Sequence, residues 1–230
     1  MKYLIIFQIL LLACIHGRSQ HVVVAMHTPY DLELYMKTSK EYQSQHNDNS
    51  SIVGSPYLTE NFESSLVLLN NLWYEGIALR YDIYNDQFEV EFESGKMIID
   101  PIKNNIDTIK YNGEVFVRKV FEPGNTKGLS YLALLGQWNN FGLFKQYKTR
   151  LEAATPTDGY NEARPAEYHS TSPGYYIFNN NEIIEIKGSK TIAEVFNIEH
   201  KMVKRYLKEK DYKLSNEDDM ISVLAYYSTL

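Results

Sequence analysis

A chain of 230 residues, 44% hydrophobic and 23% charged, can build one large domain with a small appendage and is neither disordered nor fibrous in composition. Its formal net charge of −6, with no basic run interleaved with aromatics, points away from nucleic acid and anionic membrane surfaces as partners. Nineteen tyrosines favour strands, where the ring packs on a pleated surface and the hydroxyl reaches water.

The start reads as an export signal. Lys2 precedes an apolar run from Tyr3 to Ile15, and Gly17-Arg18-Ser19 offers small residues for cleavage after Ser19. The run is short for a membrane span, which needs roughly 20 apolar residues. Leu11-Leu12-Ala13-Cys14 raises an alternative in which Cys14 is lipidated and becomes the mature N-terminus. On either reading the folded part holds no disulfide, thiolate metal site or cysteine nucleophile. Cleavage after Ser19 leaves 21 basic and 29 acidic residues, a net charge of −8. The expected location is periplasmic or extracellular, with an outer-membrane lipoprotein as the alternative.

Residues 20–54 carry little pattern and read as an N-terminal arm or linker, with an isolated strand near His21 to Met26. Strand rhythm begins at residue 55 and runs to 187. Asn70-Asn71 and Asn112-Gly113 are hairpin turns between apolar runs. In Ile77 to Gly95, a two-residue Asn85-Asp86 turn would pair Ile83 with Phe88, Tyr81 with Val90 and Leu79 with Phe92. That puts every apolar residue on one face and sets Asp82 against Glu89 and Arg80 against Glu91 on the other. Ile109 and Phe116 on one face, with Val115 and Val117 on the other, predict a strand pair buried on both sides. Further hairpins are expected around Gly136 to Asn140 and Asn179 to Asn181. Residues 149–173, with three prolines, break the rhythm and read as a long loop, lid or strap.

Residues 188–230 read as helices packed on the sheet. Thr191 to Phe196 is a short one. Glu199 to Lys210 carries Met202, Val203, Tyr206 and Leu207 on one face. Ser215-Asn216-Glu217-Asp218 resembles a capping box opening a last helix with Met220, Ile221, Leu224 and Tyr227 inward. The fold class is therefore α+β and β-rich: an antiparallel meander or barrel-like curved sheet with a small C-terminal helical segment.

"GSPYLTENF", "LRYDIYNDQFEVE", "GYYIFNNNEIIEIK" and "VKRYLKEKDYKLSNEDDMISVLAYYSTL" resemble a group of secreted or envelope proteins of Bacteroidota-type bacteria, over roughly Gly54 to Leu230. The resemblance implies export and envelope association, and carries over no catalytic residue. Asp82 stands where such relatives often have Asn.

Candidate chemistry is sparse. Asp82, Glu89, Glu91 and Glu93 form an acidic row, but a flat row does not wrap a cation, and Arg80 sits beside it. The row reads as the solvated face of a sheet. His21, His27, His46, His169 and His200 lack metal-ligand spacing, and no phosphate loop occurs. No metal or cofactor is expected. Trp73 and Tyr74 in "NNLWYEG", and Trp138 and Phe141 in "GQWNNFG", are the candidate ligand-binding residues, since aromatics at strand ends stack on flat ligands. The function expected is that of a non-enzymatic exported protein binding an envelope protein or an apolar small molecule. One alternative is a hydrolase whose pocket gathers His169, Asp158 or Glu167. Another is a structural component assembled through the N-terminal arm.

Overall fold

A computed structural model describes residues 26–38, 52–121, 128–138, 141–157, 159, 162–179 and 182–229. The segment read as a leader, with Cys14, and His21, His46 and Asp158 lie outside the described residues. The protein is a β-rich α+β fold built on one open sheet of eleven strands, in the order β11-β10-β9-β8-β7-β6-β2-β3-β4-β5 with β1 on β3. The strands are β1 (Met26–His27), β2 (Glu63–Leu69), β3 (Leu72–Asp82), β4 (Gln87–Phe92), β5 (Gly95–Ile99), β6 (Ile106–Tyr111), β7 (Glu114–Phe121), β8 (Gly128–Trp138), β9 (Phe141–Glu152), β10 (Glu167–Asn179) and β11 (Glu182–Glu185). The helices are α1 (Pro29–Thr38), α2 (Ser189–Val195), α3 (His200–Lys210) and α4 (Glu217–Tyr227).

Turn chemistry sets most of the pairing. Asn70 and Asn71 have φ of 52° and 62°, and Asn112 and Gly113 of 49° and 78°, the left-handed pairs that tight hairpins require. Leu69 therefore faces Leu72, and Tyr111 faces Glu114. The third hairpin differs from the expected register by two residues. Tyr81 pairs with Phe88, Leu79 with Val90 and Arg80 with Glu89. The Asp82 carboxylate accepts the Asn85 backbone N–H at 2.9 Å and the Asn85 side-chain amide at 2.7 Å, which opens the turn to residues 83–86. A slip of two preserves the faces, because side chains alternate with period two. Only Ile83 drops out of the ladder.

The segment joining β5 to β6 is compact: the Asn104 N–H donates to the Asp100 carbonyl at 2.9 Å. Yet β4, β3 and β2 lie between those strands in the sheet. The sheet must therefore curl, and Ile99 and Ile106 meet in one core without β5 pairing to β6. Residues 26–38, expected as part of an arm, close this curl instead. β1 runs parallel to β3 where β4 leaves its edge free, with Met26 opposite Trp73 and His27 opposite Tyr74. Gly76, with φ of 69°, is the extra residue of a bulge opposite Ser65 and Leu66, and Pro29 seats over it. α1 then drives Leu32 and Met36 into the core, both fully buried. Only two inward apolar residues mark this helix in the sequence, too few to read as a core-facing stripe.

The expected loop at residues 149–173 is strand at both ends, 149–152 and 167–173, and narrows to residues 153–166. β9 and β10 form a long hairpin in which Leu151 faces Tyr168 and Thr149 faces Ser170. Pro173 falls at a register shift between Thr171 and Gly174, a place where a sheet tolerates a missing N–H. What remains is residues 153–166, tied by a bridge between Thr155 and Arg164. The base of β10 is also joined to Val53, whose N–H donates to Ala166 at 2.9 Å.

Three apolar clusters result. One fills the curl of β2 to β8 around Tyr81, Phe88, Tyr111, Phe116 and Tyr131. A second lies between β8 to β10 and α2 to α4, around Leu143, Ile177, Val203, Val223 and Leu224. A third, Phe121, Leu132, Phe144 and Tyr176, lies on the opposite face of the sheet, as the two-sided pattern at Val115 and Val117 requires. Two helix assignments shift. Met202 is largely exposed rather than inward, and Val223 is a buried residue of α4 beside Met220, Leu224 and Tyr227, whereas Ile221 is half-buried.

Candidate interaction surface

The acidic row is not uniformly wet. Residues 56–58 continue alongside β3, with Leu58 N–H donating to Tyr81 and Ile83 N–H to Pro56. This lays Tyr57 and Phe62 over the middle of the row, and the Arg80 guanidinium sits 3.7 Å from one ring centroid and 4.7 Å from the other. Arg80 donates to Glu89 at 2.6 and 2.8 Å, and the Tyr57 hydroxyl donates to Glu89 at 2.8 Å. Asp82 is buried at its turn. Only Glu91 and Glu93 remain exposed. The covered part is a clamp holding the 55–62 segment on the sheet.

Two further polar clusters are partly buried. Lys145 Nζ lies 2.7 Å from Glu114 and 3.2 Å from Glu217, the first residue of α4. Tyr147 donates to Glu114 at 2.7 Å and Tyr175 to Glu217 at 2.9 Å. Burial by itself disfavours the Lys145 charge, but hydrogen bonds to Glu114 and Tyr147 more than reverse this, and the amine is held protonated above its ordinary range. Burial, then the adjacent glutamates, pushes the Tyr147 and Tyr175 hydroxyls up to about 12. A lysine held this way is a cation bolting α4 to the sheet, not a nucleophile. The second cluster is Asp86, at φ of 52°, whose carboxylate accepts from the Tyr81 hydroxyl at 2.6 Å and the Tyr131 N–H at 3.2 Å. Burial pushes its pKa up to about 6, partly offset by Ser130, Tyr81 and Tyr131.

The candidate aromatics do not come together. Adjacent strand residues point to opposite faces, so Tyr74 enters the first core beside His27, while Trp73 lies outside with the Lys110 amine 5.0 Å from its ring. Trp138 and Phe141 pack on each other at 5.5 Å, and Phe141 packs on Phe196 of the α2 end at 5.0 Å, within the second core. A Cβ at Gly136 would collide with the Trp138 ring, so the indole lies against the sheet backbone. These pairs serve packing. His169 Nε2 lies 3.3 Å from Glu152 and 3.8 Å from Glu167 on the β9–β10 hairpin, a partly exposed polar contact. Among the described residues no group of three or more His, Cys, Asp or Glu could hold a metal ion.

The surface that the sequence did not mark is the outer side of α1. Leu32 and Met36 take the inner side, so Tyr30 and Leu34, one turn apart, face outward at 70% and 52% exposure. Met26 of β1 is 49% exposed and Leu72, beside Trp73, is also exposed. Glu33 anchors the helix through Ser94 and Lys37. The result is an apolar stripe presented on a helix that is itself fixed in the core. The missed signal was the doubled spacing Tyr30–Leu34 and Leu32–Met36, two i, i+4 pairs on opposite sides of one helix.

Among the described residues no helix is long and apolar enough to cross a membrane. The chain matches no family model, no curated protein and no solved structure.

Proposed function

We propose that the chain is an exported, non-enzymatic binding protein of the cell envelope, and that its partner is another protein docked on the outer face of α1 and β1. The observation that carries this reading is the exposed pair Tyr30 and Leu34 on a helix whose Leu32 and Met36 are buried in the first core, with exposed Met26 on the preceding β1. Tyrosine and methionine are enriched where proteins meet, tyrosine because its ring buries much area at low entropic cost. The leader-like N-terminus and the likeness to secreted proteins of Bacteroidota-type bacteria support export. A protein partner is favoured over an apolar small molecule because side chains fill the curl. Phe88 lies within 4.8 to 5.5 Å, centroid to centroid, of Tyr81, Phe116, Tyr131 and Tyr111.

The test is a photo-crosslinking residue placed at Tyr30 or Leu34 in the full chain, expressed in its native cell. One discrete protein adduct is expected from both positions, absent from a control at exposed Ile102 and lost when Leu34→Lys is combined with the Tyr30 probe. No adduct, or the same adducts from Ile102, overturns the reading. A solvent-extractable mass carried by the purified protein in native mass spectrometry would favour the apolar ligand instead.

A further inference from the structure

The molecule is acidic as a whole, yet α3 gathers cations on one side. Val203 is fully buried and Tyr206 and Leu207 are half-buried, which fixes the inward face of the helix. At about 100° per residue the opposite side carries Lys201, Lys204, Arg205 and Lys208. All four are exposed, with the Lys201 side chain 81% and the Arg205 side chain 68% accessible. Lys201 and Arg205, and Lys204 and Lys208, are like-charged i, i+4 neighbours, an arrangement that costs a helix a few tenths of a kcal/mol per pair. Two other helices pair their lysines with glutamates at this spacing: Lys37 with Glu33 in α1 at 2.6 Å, and Lys190 with Glu194 in α2 at 3.6 Å. Glu199 and Glu209 offset Lys201 and Arg205 at the two ends of α3. Lys204 and Lys208 have no ion-pair partner among the described residues.

The stripe has an apolar border. Met202 is exposed beside it, and Tyr226 of α4, also exposed, stacks on Tyr206 at 4.3 Å between ring centroids. Lys187 and Lys190 stand near the start of the helix, because Ser189 Oγ lies 2.9 Å from His200 Nε2. A cationic helix face edged by Met and Tyr matches the layering of a bilayer surface, where cations meet phosphates and amphipathic rings sit at headgroup level.

We propose that the outer face of α3 docks on an anionic lipid bilayer surface, with the acidic sheet turned away from it. The contact is peripheral, made by Lys201, Lys204, Arg205 and Lys208, and it is independent of the partner surface on α1. Net charge conceals it, because the acidic residues elsewhere outnumber these cations; the 3-and-4 spacing exposes it.

The test is co-sedimentation of the mature full-length chain with vesicles of pure phosphatidylcholine and of phosphatidylcholine with 30% phosphatidylglycerol. Binding to the anionic vesicles alone is expected, falling at least about tenfold when salt rises from 50 to 500 mM, since screening shortens the reach of surface charge. The quadruple variant Lys201→Glu, Lys204→Glu, Arg205→Glu, Lys208→Glu should lose that binding, and the milder Lys204→Gln, Lys208→Gln should weaken it about tenfold. A control, Lys96→Gln with Lys103→Gln, should bind as the parent does. Circular dichroism verifies folding, and the Gln variant carries the test if the Glu variant fails to fold. Equal binding to both vesicle types, undiminished binding by the folded Gln variant, or binding to dextran sulfate but not to vesicles would overturn the proposal.

Discussion

The two halves of the sheet solve the same burial problem differently. From β2 to β8 the sheet curls on itself and fills its own interior with rings, and of the helices α1 finishes the core with Leu32 and Met36. From β8 to β10 the sheet stays open, and α2 to α4 supply the opposing layer through Ile192, Val203, Val223 and Leu224. The contrast follows from the connections. A compact turn joins β5 to β6 and forces curvature, whereas the long β9–β10 hairpin pairs from Phe141 with Asn179 to Glu152 with Glu167. Each half buries polar groups suited to it. The curl encloses a carboxylate among hydroxyls, Asp86 with Tyr81, and the layered half bolts its helix down with Lys145 between Glu114 and Glu217.

The sharpest way to break this contrast is Phe88→Ala, which empties the centre of the curled core. A loss of about 3–5 kcal/mol is expected, read from urea denaturation. Hydrogen exchange should rise in β2 to β6 before β9 and β10, since the two layers have separate apolar clusters. Next is Lys145→Ala, which leaves two carboxylates facing each other without their cation. About 3 kcal/mol should be lost, and α4 should lose protection first. Replacing Lys145 by Met together with Glu114→Gln should cost less, because fewer unpaired charges stay buried.

Asp86 sharpens the comparison through pH. Its folded pKa, near 6, lies above the ordinary 3.8, so the folded state favours the neutral acid. That contribution is fully present below about pH 4 and is lost as pH rises through 6, a swing of about 3 kcal/mol. The advantage of the parent over Asp86→Asn should therefore shrink between pH 4 and 7, measured as the difference in denaturation midpoints. The smallest effect is Asn216→Ala. Its side-chain oxygen accepts the Asp219 N–H at 3.0 Å as the N-cap of α4, and its loss should cost about 1 kcal/mol without touching the curled half.

Local chemistry made much of this legible. Asn70-Asn71 and Asn112-Gly113 announced their turns because few residues adopt positive φ cheaply. Alternation placed Leu79, Tyr81, Phe88 and Val90 on one face even though the register moved by two, since an even slip leaves faces unchanged. The helical residues after 188 were visible from period and cap. What misled was composition. Prolines made the loop look longer than it is: residues 153–166 connect the two strands, but Pro173 occupies a bulge within β10. Polarity made residues 26–38 look like part of an arm, yet two side chains anchor that helix.

By itself the sequence determined the class of fold, the main turns and the face each strand turns inward, because these depend on neighbours along the chain. Tertiary structure alone decided which polar groups are buried and which apolar ones are left out. Asp82 and Glu89 lose water only because residues 56–62 return over them, and Tyr30 and Leu34 keep it only because Leu32 and Met36 have taken the core. Burial is a property of what arrives from elsewhere in the chain, and contacts between segments distant in sequence set it.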